Sequence, residues 1–104
     1  MQNKKVSIII VTFNSAGTIQ AALNSALKQT YTNYEIILLD NGSQDKTLRI
    51  VKSLLDAWHG HYKVVASNSN LGFAEGNNIA LNYATGEYVA LINPDAIAEK
   101  KWLE

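Results

Sequence analysis

Four polar segments of this 104-residue chain each follow a short apolar run, and together they carry residue types that could bind a polar ligand. The segments, quoted with the end of the preceding run, are VTFNSAGT, LLDNGSQDKT, ASNSNLGFAEGNN and LINPDA. Any one of them is more easily explained as a turn, because Asn, Asp and Gly tolerate turn geometry and cap helices. Four of them at one edge of a sheet would form a crevice of hydroxyls, amides and carboxylates. Such a crevice suits a ligand with a base, a sugar and phosphates.

The segment LINPDA offers a carboxylate for a metal ion. Pro94 lacks the N–H that would continue a strand and biases Asn93 toward extended geometry, so the strand ends there and Asp95 lies at the rim of the sheet. The chain contains neither G-x-G-x-x-G nor G-x-x-x-x-G-K-S/T, the two standard phosphate loops. We therefore expect a divalent metal to neutralise the charge of a bound diphosphate. Mg²⁺ commonly takes one or two protein carboxylates and completes its shell with phosphate and water oxygens.

Three competing interpretations are weaker. The His59-Gly60-His61 sequence has no accompanying carboxylate motif, so we expect a solvated turn there instead of a metal site. A hydrolase would need a G-x-S-x-G nucleophile elbow or a carboxylate pair at a defined separation, and neither can be assigned. A nucleotidyltransferase would need a basic, glycine-rich loop near the first strand, where VTFNSAGT has neither Lys nor Arg.

Four strands and three helices are predicted to position the polar segments. The strands are runs rich in Val, Ile and Leu, at Val6 to Thr12, Glu35 to Asp40, Lys63 to Ala66 and Tyr88 to Asn93. The helices follow apolar stripes at helical spacing, over residues 19–27, 48–58 and 74–84. Most strand runs lack polar alternation, which indicates strands covered on both faces. The alternation predicts an α/β fold with a mostly parallel sheet flanked by helices, whose ligands bind at the carboxyl ends of the strands.

Single residues mark the predicted helix ends. Ser43 is predicted to cap the second helix, with Asp45 in its first turn, where a negative charge suits the helix N-terminus. Gly86 fits a helix stop before the fourth strand.

The composition limits the class of protein. Nine basic and nine acidic residues give a formal net charge of zero, so no general field attracts nucleic acid or an anionic membrane. The absence of cysteine suits a reducing compartment and favours a cytoplasmic protein. No run approaches the ~18 apolar residues of a membrane span, and the interrupted apolar run near the start differs from a signal peptide. We expect one domain over residues 1–104.

Three stretches of the sequence identify a family. They are VSIIIVTFN, LNSALKQTYTNYEIILLDNGSQDKT and NLGFAEGNNIALNYATGEYVALINPDA. They cover nearly the whole chain and resemble the N-terminal, nucleotide-sugar-binding half of family 2 glycosyltransferases. The resemblance implies the A-type glycosyltransferase fold, with a Rossmann-like nucleotide-binding half. The combination of GFAEGNN and NPDA is most similar to the rhamnosyltransferase-like branch.

The same resemblance implies roles for individual residues. The nucleotide-sugar site would consist of Thr12, Asn14, Asp40, Asn70, Gly72, Asn77 and Asn93. In it, Asp40 would accept a hydrogen bond from the imide N–H of uracil or thymine. A turn aspartate is the alternative for Asp40, because Asn41-Gly42 follows it. Asn77 stands where many relatives carry an arginine, so an amide would replace a charged phosphate contact.

Asn93-Pro94-Asp95 occupies the place of the family's Asp-x-Asp metal motif. By this resemblance Asp95 would bind Mg²⁺ or Mn²⁺ at the diphosphate. Asn93 could accept a hydrogen bond from a ribose hydroxyl or a metal-bound water, but it adds no negative charge. A helix cap ahead of AIAEKKWLE is the alternative role for Asp95, and it does not exclude metal binding.

The resemblance also implies an activity and a setting. Such an enzyme transfers a sugar, rhamnose in the branch named above, from a UDP- or dTDP-sugar to a saccharide or lipid-linked acceptor, with inversion. It serves polysaccharide and cell wall biosynthesis, in the cytoplasm or at the inner face of the membrane. The catalytic base that activates the acceptor is expected beyond Glu104. The resemblance therefore predicts a truncated domain, which could self-associate through an exposed sheet edge. A non-catalytic donor-binding or assembly module is the alternative.

Overall fold

The structure, a computed structural model, describes residues 3–104, and a four-stranded sheet organises them. The elements in chain order are β1 Val6–Thr12, α1 Ile19–Leu27, β2 Tyr34–Asp40, α2 Thr47–Ala57, β3 His61–Ala66, α3 Phe73–Leu81 and β4 Tyr88–Ile92. The predicted α/β fold, with its strict alternation of strand and helix, is confirmed. None of these helices is long and apolar enough to cross a membrane.

The strands lie in the order β3-β2-β1-β4, and every neighbouring pair is parallel. The register pairs Val6 with Tyr34 and Thr12 with Asp40, so β1 and β2 end side by side. The chain builds outward from β1 to β3 and then returns to the other side of β1 with β4. The strand order therefore reverses between β1 and β4, which is where sheets of this class open a ligand crevice at their carboxyl ends.

The two central strands are buried along their whole length because helices cover both faces. Alternate residues of a strand point to opposite faces, so β1 and β2 contribute to two separate cores. The first core, with α1 and α2, includes Ile8, Ile10, Ile36, Leu38, Ile19, Leu23, Val51 and Leu55. The second, with α3, is built from Ile9, Val11, Ile37, Leu39 and Ala80. Two-sided burial is the reason that the strand sequences show no polar alternation.

Several predicted element boundaries are wrong. The Ser43 cap is one, because α2 begins at Thr47 with Lys46 in the cap position, and the Lys46 side chain makes no capping hydrogen bond. Asp45 lies before the helix, where its Oδ1 accepts the Thr47 N–H at 2.9 Å. His61 belongs to β3 and not to a turn, which moves the start of that strand two residues earlier than predicted.

The predicted ends of α3 and β4 also lie too far along the chain. The helix ends at Leu81 and the strand at Ile92, which leaves Asn93 outside the strand. Gly86 does not stop the helix, because it lies beyond the helix end and packs against β1. A Cβ on Gly86 would lie 2.7 Å from both N and Oγ of Ser7, so the close backbone approach requires glycine.

A buried polar cluster lies at the amino end of the sheet, away from the predicted ligand edge. Glu35 is 6% exposed and accepts hydrogen bonds from Ser7 Oγ at 2.6 Å and Thr85 N at 2.7 Å. Lys5 Nζ lies 3.5 Å from the same carboxylate. Burial by itself would raise the pKa of Glu35, but the hydrogen bonds from Ser7 and Thr85 outweigh it and hold the pKa below its ordinary value. This cluster fixes the segment that leads into β4.

Glu35→Gln is expected to lower the free energy of unfolding by about 2 kcal/mol at pH 7, because charge-assisted hydrogen bonds to a buried acceptor are lost. Since the folded pKa of Glu35 is lowered, its stabilisation is present above the unfolded pKa and disappears as the pH falls through the folded value. Urea unfolding at pH 7 and at about pH 3 should show that the difference in the free energy of unfolding between wild type and variant is smaller in acid.

Glu87→Gln is the matched control, since its 3.6 Å ion pair with Lys4 is exposed. It should change the free energy of unfolding by less than about 0.5 kcal/mol at either pH. An equal gap between wild type and Glu35→Gln at both pH values would contradict the role of the carboxylate charge.

Candidate functional site

A cleft of about 260 Å³ lies at the carboxyl ends of β1 and β4. Its lining residues are Val11, Thr12, Phe13, Ser15, Asn41, Asn70, Gly72, Phe73 and Pro94. The structure thus brings together Thr12, Asn70 and Gly72 of the predicted site. They come from β1 and from the segment between β3 and α3, which are far apart in sequence and meet only because the sheet is parallel.

Asp40 stands at the end of β2 and is only 2% exposed. Its Oδ1 accepts hydrogen bonds from Thr12 Oγ1 at 2.7 Å and Ser43 Oγ at 2.6 Å, and its Oδ2 accepts the Ser43 N–H at 2.9 Å. The bonds to Ser43 are those of a turn aspartate, as in the alternative interpretation of Asp40. A carboxylate oxygen can accept two hydrogen bonds, so Oδ2 retains capacity for a ligand donor.

Asn14 binds protein groups on the neighbouring loop. Its backbone has φ of 47°, a left-handed conformation that Asn tolerates better than most residues. Its N–H donates to Ser43 Oγ at 2.8 Å, and its Oδ1 accepts the Gln44 N–H at 2.9 Å. The side chain of Asn14 therefore ties the loop after β1 to the loop after β2.

A second set of contacts joins the same two loops nearer to α2. The Ser15 N–H donates to Thr47 Oγ1 at 2.7 Å, and the Ala16 N–H donates to Asp45 Oδ2 at 3.2 Å. Hydrogen bonds from the Thr47 hydroxyl and N–H lower the pKa of Asp45 below its ordinary value. One wall of the cleft is held by these contacts and by those of Asn14.

Six of the nine lining residues were not among the predicted site residues, and three of these six are a buried amide and two aromatic residues. The Asn41 side chain is 2% exposed and bonds the backbone of the β3 to α3 segment, with Nδ2 donating to Gly72 O at 3.0 Å. Phe13 and Phe73 are 44% and 58% exposed and place two aromatic rings at the cleft. The available signal was an aromatic side chain inside an otherwise polar segment, which a turn does not require.

Asn77 lies one helical turn into α3. Its Nδ2 donates to the Phe73 carbonyl at 2.9 Å, on the preceding turn of the same helix. The amide therefore packs along the helix that carries the Gly72 and Phe73 wall of the cleft.

Asn93 and Asp95 flank Pro94 in a tight turn at the end of β4. The Ala96 N–H donates to Asn93 O at 3.0 Å, which closes the turn, and proline is favoured at its second position. Both Asn93 and Asp95 are exposed. Residues 96–104 contain no helix in this structure, so the alternative of Asp95 as a helix cap is wrong.

The chemistry of this turn fits a metal ion only when the ligand contributes to its binding. No group of three His, Cys, Asp or Glu residues within residues 3–104 could hold a metal ion. Asp95 supplies one carboxylate and Asn93 one amide oxygen. Mg²⁺ and similar hard cations accept such a partial set when phosphate oxygens and water complete the shell. The donor set therefore suits a metal shared with a diphosphate.

Comparisons with known proteins identify the family and the fold. The sequence profile of the family described as "Glycosyl transferase family 2" matches residues 7–104. The chain is 36% identical over 101 residues to an uncharacterized glycosyltransferase of Haemophilus influenzae, covering 95% of the chain and 30% of that protein. It is 36% identical over 97 residues to the Escherichia coli UDP-Glc:alpha-D-GlcNAc-diphosphoundecaprenol beta-1,3-glucosyltransferase WfgD, covering 93% and 37%. The chain spans about a third of the length of these relatives.

Two solved structures share the fold. Staphylococcus aureus TarS 1-349 in complex with UDP superposes with a TM-score of 0.87 at 33% identity, covering 95% of this chain and 30% of that one. The mannosyltransferase PcManGT of Pyrobaculum calidifontis, in complex with GDP-Man and Mn²⁺, gives 0.85 at 30% identity, covering 90% and 28%. The sheet and helices described above are therefore those of glycosyltransferases with the A-type fold.

Asp40→Ala is expected to lower the free energy of unfolding by about 3 kcal/mol, because the buried Thr12 hydroxyl and the Ser43 N–H lose their acceptor. Thermal and urea unfolding measure the change. Asp56→Ala is the control, since Asp56 is exposed and accepts one hydrogen bond, from Tyr62 at 2.8 Å. Equal, small effects of the two substitutions would contradict a structural role for the Asp40 carboxylate.

Proposed function

The chain belongs to glycosyl transferase family 2, and on that premise we propose that it is the donor-binding part of a glycosyltransferase that uses a UDP- or dTDP-sugar. The observation that carries the proposal is the cleft at the β1 and β4 carboxyl ends, which polar Thr12, Asn41 and Asn70 line together with two aromatic residues, Phe13 and Phe73. That combination suits a nucleoside, which needs both a stacking surface and polar partners. The UDP complex of the TarS structure supports this choice of ligand.

The uracil or thymine base of the nucleotide would bind near the ends of β1 and β2. The exposed Phe13 ring offers a face for stacking, and a pyrimidine imide N–H needs one acceptor. Two acceptors lie at the end of β2, Asp40 Oδ2 and Asn41 Oδ1, and each accepts one hydrogen bond from the described residues. Asn41 lines the cleft, whereas Asp40 does not line it and is 2% exposed. We retain Asp40 as the acceptor, because a carboxylate makes the stronger bond to a neutral donor.

The diphosphate would lie toward the Asn93 turn and the start of α3. Asn70, Gly72 and Pro94 all line the cleft. Asp95 would hold Mg²⁺ or Mn²⁺ together with the phosphates, and the Mn²⁺ in the PcManGT structure supports this assignment. When bound, the metal neutralises charge that develops on the departing nucleoside diphosphate.

The transfer itself is proposed for a protein of the length of these relatives. It would join the sugar to a saccharide or lipid-linked acceptor with inversion, in polysaccharide or cell wall synthesis, at the cytoplasmic side of a membrane. The lipid-linked acceptor in the name of WfgD supports this class of acceptor. The catalytic base is expected beyond Glu104, and rhamnose as the donated sugar stays a prediction. The second candidate is a donor-binding module without transferase activity, which would bind UDP but transfer nothing in the full-length protein.

Isothermal titration with UDP and Mn²⁺ should show binding that chelation of the metal weakens about tenfold or more, or about 1.4 kcal/mol. Asp95→Asn should remove the metal-dependent part of the affinity for UDP, so that the variant binds UDP in Mn²⁺ as weakly as wild type does in EDTA. Asn93→Asp should instead raise the affinity for Mn²⁺ in the absence of nucleotide, because it adds a second carboxylate. Asp56→Asn is the control for a lost surface charge. No binding of UDP or dTDP with metal present would overturn the proposal.

We also propose that the chain self-associates through the outer edge of β4. Val89 and Leu91 lie on the face that α3 covers over β1 and β2, yet they are 46% and 55% exposed. The strand sequence YVALI has no charge, whereas the β3 edge carries His61 and Lys63. Charged residues on an edge strand oppose pairing with another sheet, so the β4 edge is the unprotected one. An antiparallel pair centred on Ala90 would place Val89 of each copy opposite Leu91 of the other.

Light scattering of concentrated protein should give twice the 11.4 kDa mass of the chain, with dissociation on dilution. Leu91→Lys should shift the protein to monomer while its circular dichroism stays that of wild type, because a lysine on the edge resists pairing. His61→Lys places the same charge on the β3 edge and should leave the dimer unchanged. A wild type that is monomeric at every concentration would contradict this proposal.

A further inference from the structure

Asn41 connects two parts of the chain that both line the cleft, the end of β1 and the segment that enters α3. Its Oδ1 accepts the Leu71 N–H at 3.3 Å, and its Nδ2 donates to Gly72 O at 3.0 Å. Both ends of the amide are therefore bonded to consecutive residues of the segment that enters α3. The backbone of Asn41 is itself fixed, because its N–H donates to Thr12 O at 2.8 Å.

The space for this amide exists because residue 76 is glycine. A Cβ on Gly76 would lie 3.0 Å from Asn41 Nδ2 and 3.0 Å from Val11 Cγ1. Such distances are shorter than ordinary van der Waals contacts, so any larger residue would press on the amide. Gly76 itself is buried below the cleft and does not line it.

The Asn41 amide bonds the Gly72 carbonyl, which is also part of the first turn of α3. This carbonyl accepts the Gly76 N–H at 3.0 Å, the first turn of α3, as well as the Asn41 amide. Gly72 stands at the cap position of α3 with φ of 88°, and the Asn41 amide bonds its carbonyl where the helix begins. The cleft wall of Asn70, Gly72 and Phe73 takes its position from this contact.

We infer that Asn41 is a positioning residue for the donor, which sets the Asn70 to Phe73 wall at the distance from β1 that a nucleotide requires. The inference rests on the proposed function and adds the residue that shapes the same site. Gly76 is its counterpart, because its missing side chain leaves the amide room to reach the wall.

Nucleotide binding and local hydrogen exchange test the inference together. Asn41→Ala should raise the Kd for UDP about tenfold, equal to about 1.4 kcal/mol, and should accelerate exchange of the Leu71 amide. Gly76→Ala should produce both effects without removing any polar group. Its melting temperature should change little, because the preference of a helix interior for alanine over glycine opposes the cost of crowding. It therefore remains informative if Asn41→Ala does not fold.

Gly17→Ala is the matched control, since a Cβ there meets nothing within 4 Å. It should change neither the Kd nor the Leu71 exchange. If Asn41→Ala weakens binding while Gly76→Ala and the Leu71 exchange match wild type, Asn41 contacts the ligand directly and positioning is overturned. Wild-type binding that neither variant changes would also overturn it. Failure of wild type to bind UDP would instead reject the proposed function, and the inference with it.

Discussion

The hydrogen bond from Thr12 to Asp40 joins the carboxyl ends of the two central strands, and the position of the loops depends on it. Both residues are nearly inaccessible, and a buried carboxylate is costly unless its oxygens are bonded. The strand ladder continues one step beyond them, through Asn41 N to Thr12 O and Ser67 N to Asp40 O, each 2.8 Å. The loops after β1, β2 and β3 therefore leave the sheet at adjacent, fixed points.

The sequence predicts the central part of the fold better than its edges for a physical reason. Strands β1 and β2 are covered on both faces, and continuous apolar runs indicate that environment directly. The run YVALI of β4 looks the same in sequence, yet most of its residues are exposed. Apolar composition does not say what covers a strand. The predicted Ser43 cap failed in a similar way, because the hydroxyl bonds Asp40 before the helix begins.

The candidate site shows the same division between local and distant information. The residues Thr12, Asn70 and Gly72 could be placed together because Thr12 ends one strand of a parallel sheet and the other two follow another strand of it. Asn41 could not, since Asn-Gly is a turn signal and its bonding partners lie about thirty residues further along the chain. Their meeting depends on the crossover between β2 and β3 and on the room left by Gly76, neither of which any short motif encodes.

In the proposed donor site, the Asn93 to Asp95 turn would make the binding of donor and metal interdependent. The turn brings one carboxylate, so a metal would lack a complete shell until phosphate oxygens arrive. The described residues that line the cleft include no lysine or arginine, so a diphosphate there would need the cation to offset its charge. Each ligand would therefore raise the affinity for the other by the same factor. An aspartate in place of Asn93 would weaken this dependence, because a second carboxylate would hold the metal without the nucleotide.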